Sequence, residues 1–247
     1  LARGVDVFTA RTLLEVCAGG IPEGHTLKGV QQGGPLGGVV PADWLDTPMD
    51  PANFNAEGTI MGSGGLIFLD ERDCIVDICH WLTTFDQDES CGRCTTCRIG
   101  AMRMVDILGR MTGGTAAAVD LQILQHLEGV MQNANCVHGQ FTPKPFNAAY
   151  KWFKTEFDAH VFEHRCPAGA CRAMTEYVID AGTATGAVAE ALVASCPVRA
   201  IEARGDSATI IEEKCIRCGL CLAVAPGTVS ARPKADFTPA QREVRYA

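Results

Sequence analysis

The chain has 247 residues with 21 basic and 29 acidic side chains, a net charge of −8 that argues against nucleic-acid binding, and length for one to three small domains with cores of their own. Apolar residues make up 47% and charged residues 20%, as in soluble globular chains, and no apolar run approaches the roughly 18 residues of a membrane span, so a membrane role is not expected. The start, Leu1-Ala2-Arg3-Gly4-Val5, has neither an initiating Met nor a signal-peptide pattern. It points to a cytoplasmic setting and to a chain that is processed or part of something longer.

Residues 1–70 are punctuated by Gly and Pro, in Gly19-Gly20-Ile21-Pro22, Gln31-Gln32-Gly33-Gly34-Pro35-Leu36-Gly37-Gly38 and Met61-Gly62-Ser63-Gly64-Gly65. This predicts short strands and turns around one helix near Thr9–Cys17, with Leu66-Ile67-Phe68-Leu69 as a buried strand. Paired glycines can cradle phosphate on backbone amides, but no strand–GxGxxG–helix arrangement is present, and tight turns are the plainer role.

From Ile75 to His160 the period becomes helical. Ile75/Ile78/Leu82, Ile99/Met102/Val105/Leu108, Leu121/Leu124/Leu127/Val130 and Phe146/Tyr150/Phe153/Phe157 predict four amphipathic helices and hence a bundle. A connector over 161–182, a small Cys- and Ala-rich module over 183–230 and a polar tail over 231–247 follow.

Thirteen cysteines, an odd count concentrated in Cys-x-x-Cys groups of a long chain, read as metal ligands rather than a disulfide framework. Cys91-Gly92-Arg93-Cys94-Thr95-Thr96-Cys97 is spaced to wrap three corners of a cubic iron–sulfur cluster, with Cys136, between two helices, as the candidate fourth ligand. Structural zinc is the competing reading.

Cys166-Pro167-Ala168-Gly169-Ala170-Cys171 lacks a third nearby thiol but, with His160 or His164 before it and a bundle residue such as Cys74, suits a tetrahedral zinc. Two buried, unliganded cysteines are the alternative. Cys17 and Cys79 remain, on apolar helix faces, as expected core residues. His25, His80, His126 and His138 stand isolated. Glu89, beside the first triplet, is read either as a helix-start cap or as a residue that tunes a cluster.

Glu89-Ser90-Cys91 through Arg98-Ile99-Gly100 resembles the ESCGxCTPCRxG signature of the NADH- and flavin-binding subunit of respiratory complex I, with Thr96 where that family usually has Pro. Gln31–Pro35, Leu45–Asp50, Met61–Gly65 and Phe146–His160 are similar to the related β subunits of NAD-linked hydrogenases and formate dehydrogenases. The resemblance implies an α+β chain: a small β-grasp domain (1–70), a four-helix iron–sulfur bundle (75–160) with a [4Fe–4S] cluster on Cys91, Cys94, Cys97 and Cys136, and a connector (161–182). In the connector it favours a zinc on Cys74, His160, Cys166 and Cys171.

Cys215-Ile216-Arg217-Cys218-Gly219-Leu220-Cys221 repeats the triplet, and upstream lies Cys196-Pro197. In two-cluster bacterial ferredoxins each triplet is completed by the Cys-Pro of the other half, so 183–230 reads as a ferredoxin-like module holding a second [4Fe–4S] on Cys196, Cys215, Cys218 and Cys221. The other set is lost: Ala225-Pro226 replaces its Cys-Pro, and Ala184-Thr185-Gly186-Ala187 stands where its triplet is expected. Tyr177–Asp180 and Ala208–Ile211 are read as the two edge strands of the ferredoxin fold.

No catalytic triad, carboxylate pair or phosphate loop is found, so no catalytic residue is assigned. The reading is an iron–sulfur electron-transfer component of an NADH dehydrogenase-like oxidoreductase of hydrogenase, formate dehydrogenase or bifurcating type. FMN and NAD(P) would be reached only through a domain or subunit outside this chain. The implied partners are that flavin-bearing unit, a thioredoxin-like [2Fe–2S] subunit, and a catalytic subunit or ferredoxin, with 161–182 as a hinge. A metal-stapled, non-catalytic assembly scaffold and a truncated piece of a full flavoprotein subunit are the alternatives.

Overall fold

The structure, a computed structural model, describes residues 8–234 as a mixture of helix and sheet; most of the expected tail lies outside them. Thr9 Oγ1 accepts from Thr12 N–H at 3.3 Å and starts α1 (Ala10–Thr12), which runs into a π-helical turn over Leu13–Cys17. Strands β1 (Leu27–Gln32), β2 (Gly38–Pro41) and β3 (Leu66–Asp70) form an antiparallel sheet in the order β2-β1-β3, with Val30 opposite Val40 and Phe68. β3 is therefore an edge strand, and of its apolar run only Leu69 is fully buried.

One face of this unit closes over Val30, Val40, Leu45 and an edge-to-face Trp44–Phe54 pair, the last carried by α2 (Pro51–Ala56) behind an Asp50 cap. The glycine segments serve backbone approach: a Cβ on Gly33 would stand 2.1 Å from the Ile60 carbonyl oxygen, and one on Gly62 2.2 Å from that of Gly33.

The four expected helices are present as α3 (Ile75–Asp88), α4 (Thr95–Thr112), α5 (Ala118–Met131) and, after the short α6 (Val137–Phe141), α7 (Lys144–Phe162). Their shared core holds Ile75, Met104, Leu108, Leu124, Phe146 and Phe157, and takes in Val39 and Leu69 from the sheet. Close docking of β2 on α7 depends on Gly38, whose Cβ would lie 2.6 Å from that of Ala148. The face of α4 differs from the expected one. Ile99 and Met102 point outward, 53% and 52% exposed, while Cys97, Gly100, Ala101 and Met104 turn inward.

Beyond α7, Cys166, Cys171 and Met174 join the helical core. A separate core of Tyr177, Ala184, Leu192, Ile201, Ala225 and Val229 organises the last unit. It comprises β4 (Thr175–Ile179), α8 (Ala187–Ser195), β5 (Ile201–Arg204), β6 (Ser207–Ile210), α9 (Leu220–Val224) and β7 (Val229–Pro233). β4 pairs with β7, Tyr177 opposite Ala231, and the segment around Ala208 pairs with β5 in a hairpin. Part of the expected tail is thus the partner of β4.

Candidate metal centres

The first cysteine set gathers at the head of α4. Cys94 caps that helix, Cys97 lies buried in its first turn, and Gly92 takes the left-handed conformation (φ 69°) between Cys91 and Arg93. Cys136 caps α6, and the loop leading to it is tied to the triplet because Asn135 N–H donates to Cys94 Sγ at 3.4 Å. His138, two residues on, donates from Nε2 to the Asp86 carbonyl at 2.9 Å, fixing α6 against α3. Gly139 leaves room for the cysteine: a Cβ there would stand 2.9 Å from Cys97 Cβ and 3.1 Å from its Sγ. The N-terminal end of the long helix α4 adds positive potential where the thiolates meet. Glu89 is exposed and ends α3 rather than starting a helix.

The second set lines one recess. Cys196, Cys215, Cys218 and Cys221 surround a hollow whose other walls include Tyr177, Val198, Ile201 and Leu220. Ala200 N–H donates to Cys196 Sγ at 3.1 Å and Arg217 N–H to Cys215 Sγ at 3.4 Å. Arg217 and Gly219 both adopt positive φ, 50° and 77°, which curls the Cys215–Cys221 loop around the recess. Four thiols in an apolar hollow, with amides donating to sulfur, match the donor set and hydrogen bonding of an iron–sulfur site. Where a second cluster of a ferredoxin would need thiols, Ala184, Ala189, Leu192 and Ala225 are packed together in the core.

The third set is the tightest. Cys74, His160, Cys166 and Cys171 are all buried, and their ligand atoms lie within 4.8 Å of one another. Cys74 comes from the N-cap of α3, His160 from the last turns of α7, and Cys166 and Cys171 from a loop turned by Gly169 (φ 66°). His160 Nδ1 is 2.7 Å from the Glu156 carbonyl, which can only accept, so Nδ1 carries the proton. Its unprotonated Nε2 then faces Cys74 Sγ at 3.3 Å and Cys171 Sγ at 3.4 Å, the tautomer a metal-bound histidine needs. Burial pushes the Cys74 thiol up, whereas hydrogen bonds from Cys171 and Cys74 hold Cys166 well below the usual thiol range. His164 is not a member of the group.

Neither of the other two cysteine sets forms so tight a group among the described residues; a single ion draws ligands closer than a cluster body does. His25, Asp70 and Glu71 also approach one another, but internal partners already occupy them: His25 Nδ1 is 2.6 Å from Glu71, and Arg72 grips Asp70 and holds its carboxyl below the usual range. Of the two cysteines left over, Cys79 is buried and Cys17, contrary to expectation, is exposed.

Sequence reasoning missed Lys28, Glu156 and Asp86, all part-buried or buried charges with no motif around them. A spacing signal existed only for Glu156, one helical turn before His160.

Residues 77–160, which hold the first cysteine set and His160, match the family model of the NADH-ubiquinone oxidoreductase-F iron–sulfur binding region. The chain is 40% identical over 195 residues to the NADP-reducing hydrogenase subunit HndC of Solidesulfovibrio fructosivorans, covering 78% of this chain and 39% of that protein. It is 37% identical over 161 residues to the F 2 subunit of the NADH-quinone oxidoreductase of Rhizobium meliloti, covering 65% and 38%. Among solved structures it is similar to an NAD+-reducing [NiFe]-hydrogenase in the air-oxidised state, with a TM-score of 0.52 and 28% identity over 60% of this chain and 26% of that one. The chain thus spans about two fifths of the length of these curated relatives.

Proposed function

Taking residues 77–160 as an iron–sulfur binding region of the NADH-ubiquinone oxidoreductase-F family, we propose that this chain is the electron-transfer part of a multi-subunit NAD(P)-linked oxidoreductase of hydrogenase, formate dehydrogenase or bifurcating type. The observation that carries the proposal is the closure of the Cys136 loop on the Cys91–Cys97 triplet through the Asn135 N–H···Sγ Cys94 bond, inside the segment that the family model matches.

In this reading Cys91, Cys94, Cys97 and Cys136 hold one [4Fe–4S] cluster, and Cys196, Cys215, Cys218 and Cys221 hold another. Such clusters, when bound, exchange single electrons without making or breaking substrate bonds. The chain's own residues do the rest: α4 and α6 fix the first thiol set, the apolar walls around Cys215–Cys221 limit water at the second, and amides donate to the sulfurs at both. Cys74, His160, Cys166 and Cys171 hold zinc, which fastens the connector to the helical unit. The sheet β2-β1-β3 is a β-grasp-like domain and residues 183–230 a ferredoxin-like module with one cluster. Flavin and NAD(P) are bound by a domain or subunit outside these residues, and the far partners are a [2Fe–2S] subunit and a catalytic subunit or ferredoxin.

Iron, sulfide and zinc analysis of anaerobically purified protein tests this, together with visible spectra before and after dithionite. About eight iron, eight sulfide and one zinc per chain, with an absorption near 400 nm that bleaches on reduction, are expected. Zinc without iron would refute the redox assignment and leave a metal-stapled scaffold.

A further inference from the structure

Three of the four ligands in the tight centre follow one another along α7 and its connector, whereas Cys74 arrives from 86 residues before His160. What brings it there is visible on both sides of its peptide unit. Lys28, on β1, donates from Nζ to the Asp73 carbonyl at 2.6 Å. Glu156, on α7, accepts the Ile75 N–H on Oε1 at 2.9 Å. The same two side chains pair with each other, Lys28 Nζ to Glu156 Oε2 at 2.7 Å, and are only 17% and 6% exposed. Glu156 also supplies, through its backbone carbonyl, the acceptor that fixes the His160 tautomer.

We infer that the Lys28–Glu156 pair is a clamp that positions Cys74 for the metal by gripping the peptide groups before and after it. The inference rests on the zinc reading above. A buried ion pair is a weak source of stability, because desolvation offsets most of the attraction, and its best-attested role is to fix register. Capping of α3 does not require it, since Cys74 Sγ already accepts the Asp77 N–H at 3.4 Å. What the pair adds to the packing of Ile75 against α7 is a polar grip on the peptide groups either side of Cys74, which fixes its position relative to His160. Because Lys28 lies on the sheet, the clamp also makes docking of the sheet on α7 a condition for completing the site. Lys28 and Glu156 are positioning residues: neither offers an atom to the metal.

The test is thiol footprinting of the full chain, loaded with zinc, comparing wild type with Lys28→Met and Glu156→Gln. Iodoacetamide labelling is read by mass spectrometry at each cysteine, and cobalt(II) in place of zinc reports the ligand set by its visible spectrum. Wild type is expected to protect Cys74, Cys166 and Cys171 together. In the variants Cys74 alone becomes labelled, the cobalt spectrum reports loss of one thiolate, and metal affinity falls about 10- to 100-fold, in the range of other outer-shell substitutions. Lys28→Arg restores protection of Cys74. Variants that protect all three thiols as wild type does, or release all three together as general unfolding would, overturn the clamp. A wild-type chain that gains no protection from zinc overturns the zinc reading itself and the clamp with it.

Discussion

The Sγ of Cys171 lies 3.6 Å from the Sγ of Cys74, across 97 positions of sequence. Three thiols crowded around one imidazole are stable in reducing conditions with a metal and vulnerable without one. Without a metal, the sulfurs of Cys74, Cys166 and Cys171 lie within 4.8 Å of one another, close enough for an oxidant to join two of them. Chelator-stripped protein treated with diamide is expected to form a disulfide joining Cys166 to Cys171 or Cys74, detectable by peptide mapping without reductant. Zinc added beforehand should suppress it. Oxidation at equal rates with and without zinc would count against a metal at this centre.

Asp86 offers a test by pH. Its side chain is 1% exposed, Oδ2 has no hydrogen-bond partner, and burial pushes its pKa from 3.8 to about 7. Because the folded-state pKa is the higher one, the unfolded chain ionises first as pH rises. The stability Asp86 contributes in its protonated form is lost progressively between pH 3.8 and about 7, and is flat above that. Three units at about 1.4 kcal/mol each set the scale near 4 kcal/mol. Asp86→Asn removes the ionisation, so its advantage over wild type should grow from pH 5.5 to 7 and level off by 8.5 in denaturant titrations. A difference independent of pH would refute the assignment.

The grouping of the candidate ligands was legible in the sequence to the extent that the residue type itself carries the chemistry. Cys74, His160, Cys166 and Cys171 converge in the structure as the sequence suggested, since buried thiols and imidazole have few other uses together. Lys28 left no trace and Glu156 only its place one turn before His160, because an ion pair between distant positions has no local pattern. The inner face of α4 was misread because it is lined by small residues: a Cβ on Gly100 would meet Met131 Cγ at 2.7 Å, so the helices touch where the hydrophobic pattern is weakest. The hairpin of β5 and β6 had a signal in the sequence, whereas nothing local pointed to the long-range pairing of β4 with β7. Gly205-Asp206 between two short strands, with Gly205 at φ 60°, is a two-residue turn that pairs Ala208 with Ala203.

The two proposed clusters use disjoint cysteines, the second set packed against a core of its own, so each should be removable alone. Cys136→Ala is expected to lower the iron content from about eight to about four per chain, and Cys196→Ala to do the same. Each variant should retain a different electron paramagnetic resonance signal after dithionite. If both substitutions erase the same signal, the two sets do not hold independent clusters.

Gly139→Ala separates packing at the first cysteine set from helix propensity. Alanine ordinarily stabilises a helix relative to glycine by about 1 kcal/mol. At residue 139 in α6 the added Cβ would stand 2.6 Å from Ala134 Cβ and 2.9 Å from Cys97 Cβ, so the helix must move off α4. Overpacking of this kind costs about 1–3 kcal/mol, enough to reverse the sign. Gly129, in α5, has nothing within 4 Å of its would-be Cβ, and Gly129→Ala is the control in which propensity acts alone. Thermal melts should show Gly129→Ala at or above wild type and Gly139→Ala below it. The loss in Gly139→Ala should be accompanied by reduced iron occupancy, because the displaced partner is the ligand Cys97. A Gly139→Ala variant as stable and as iron-rich as the control would mean that α6 does not close on the triplet.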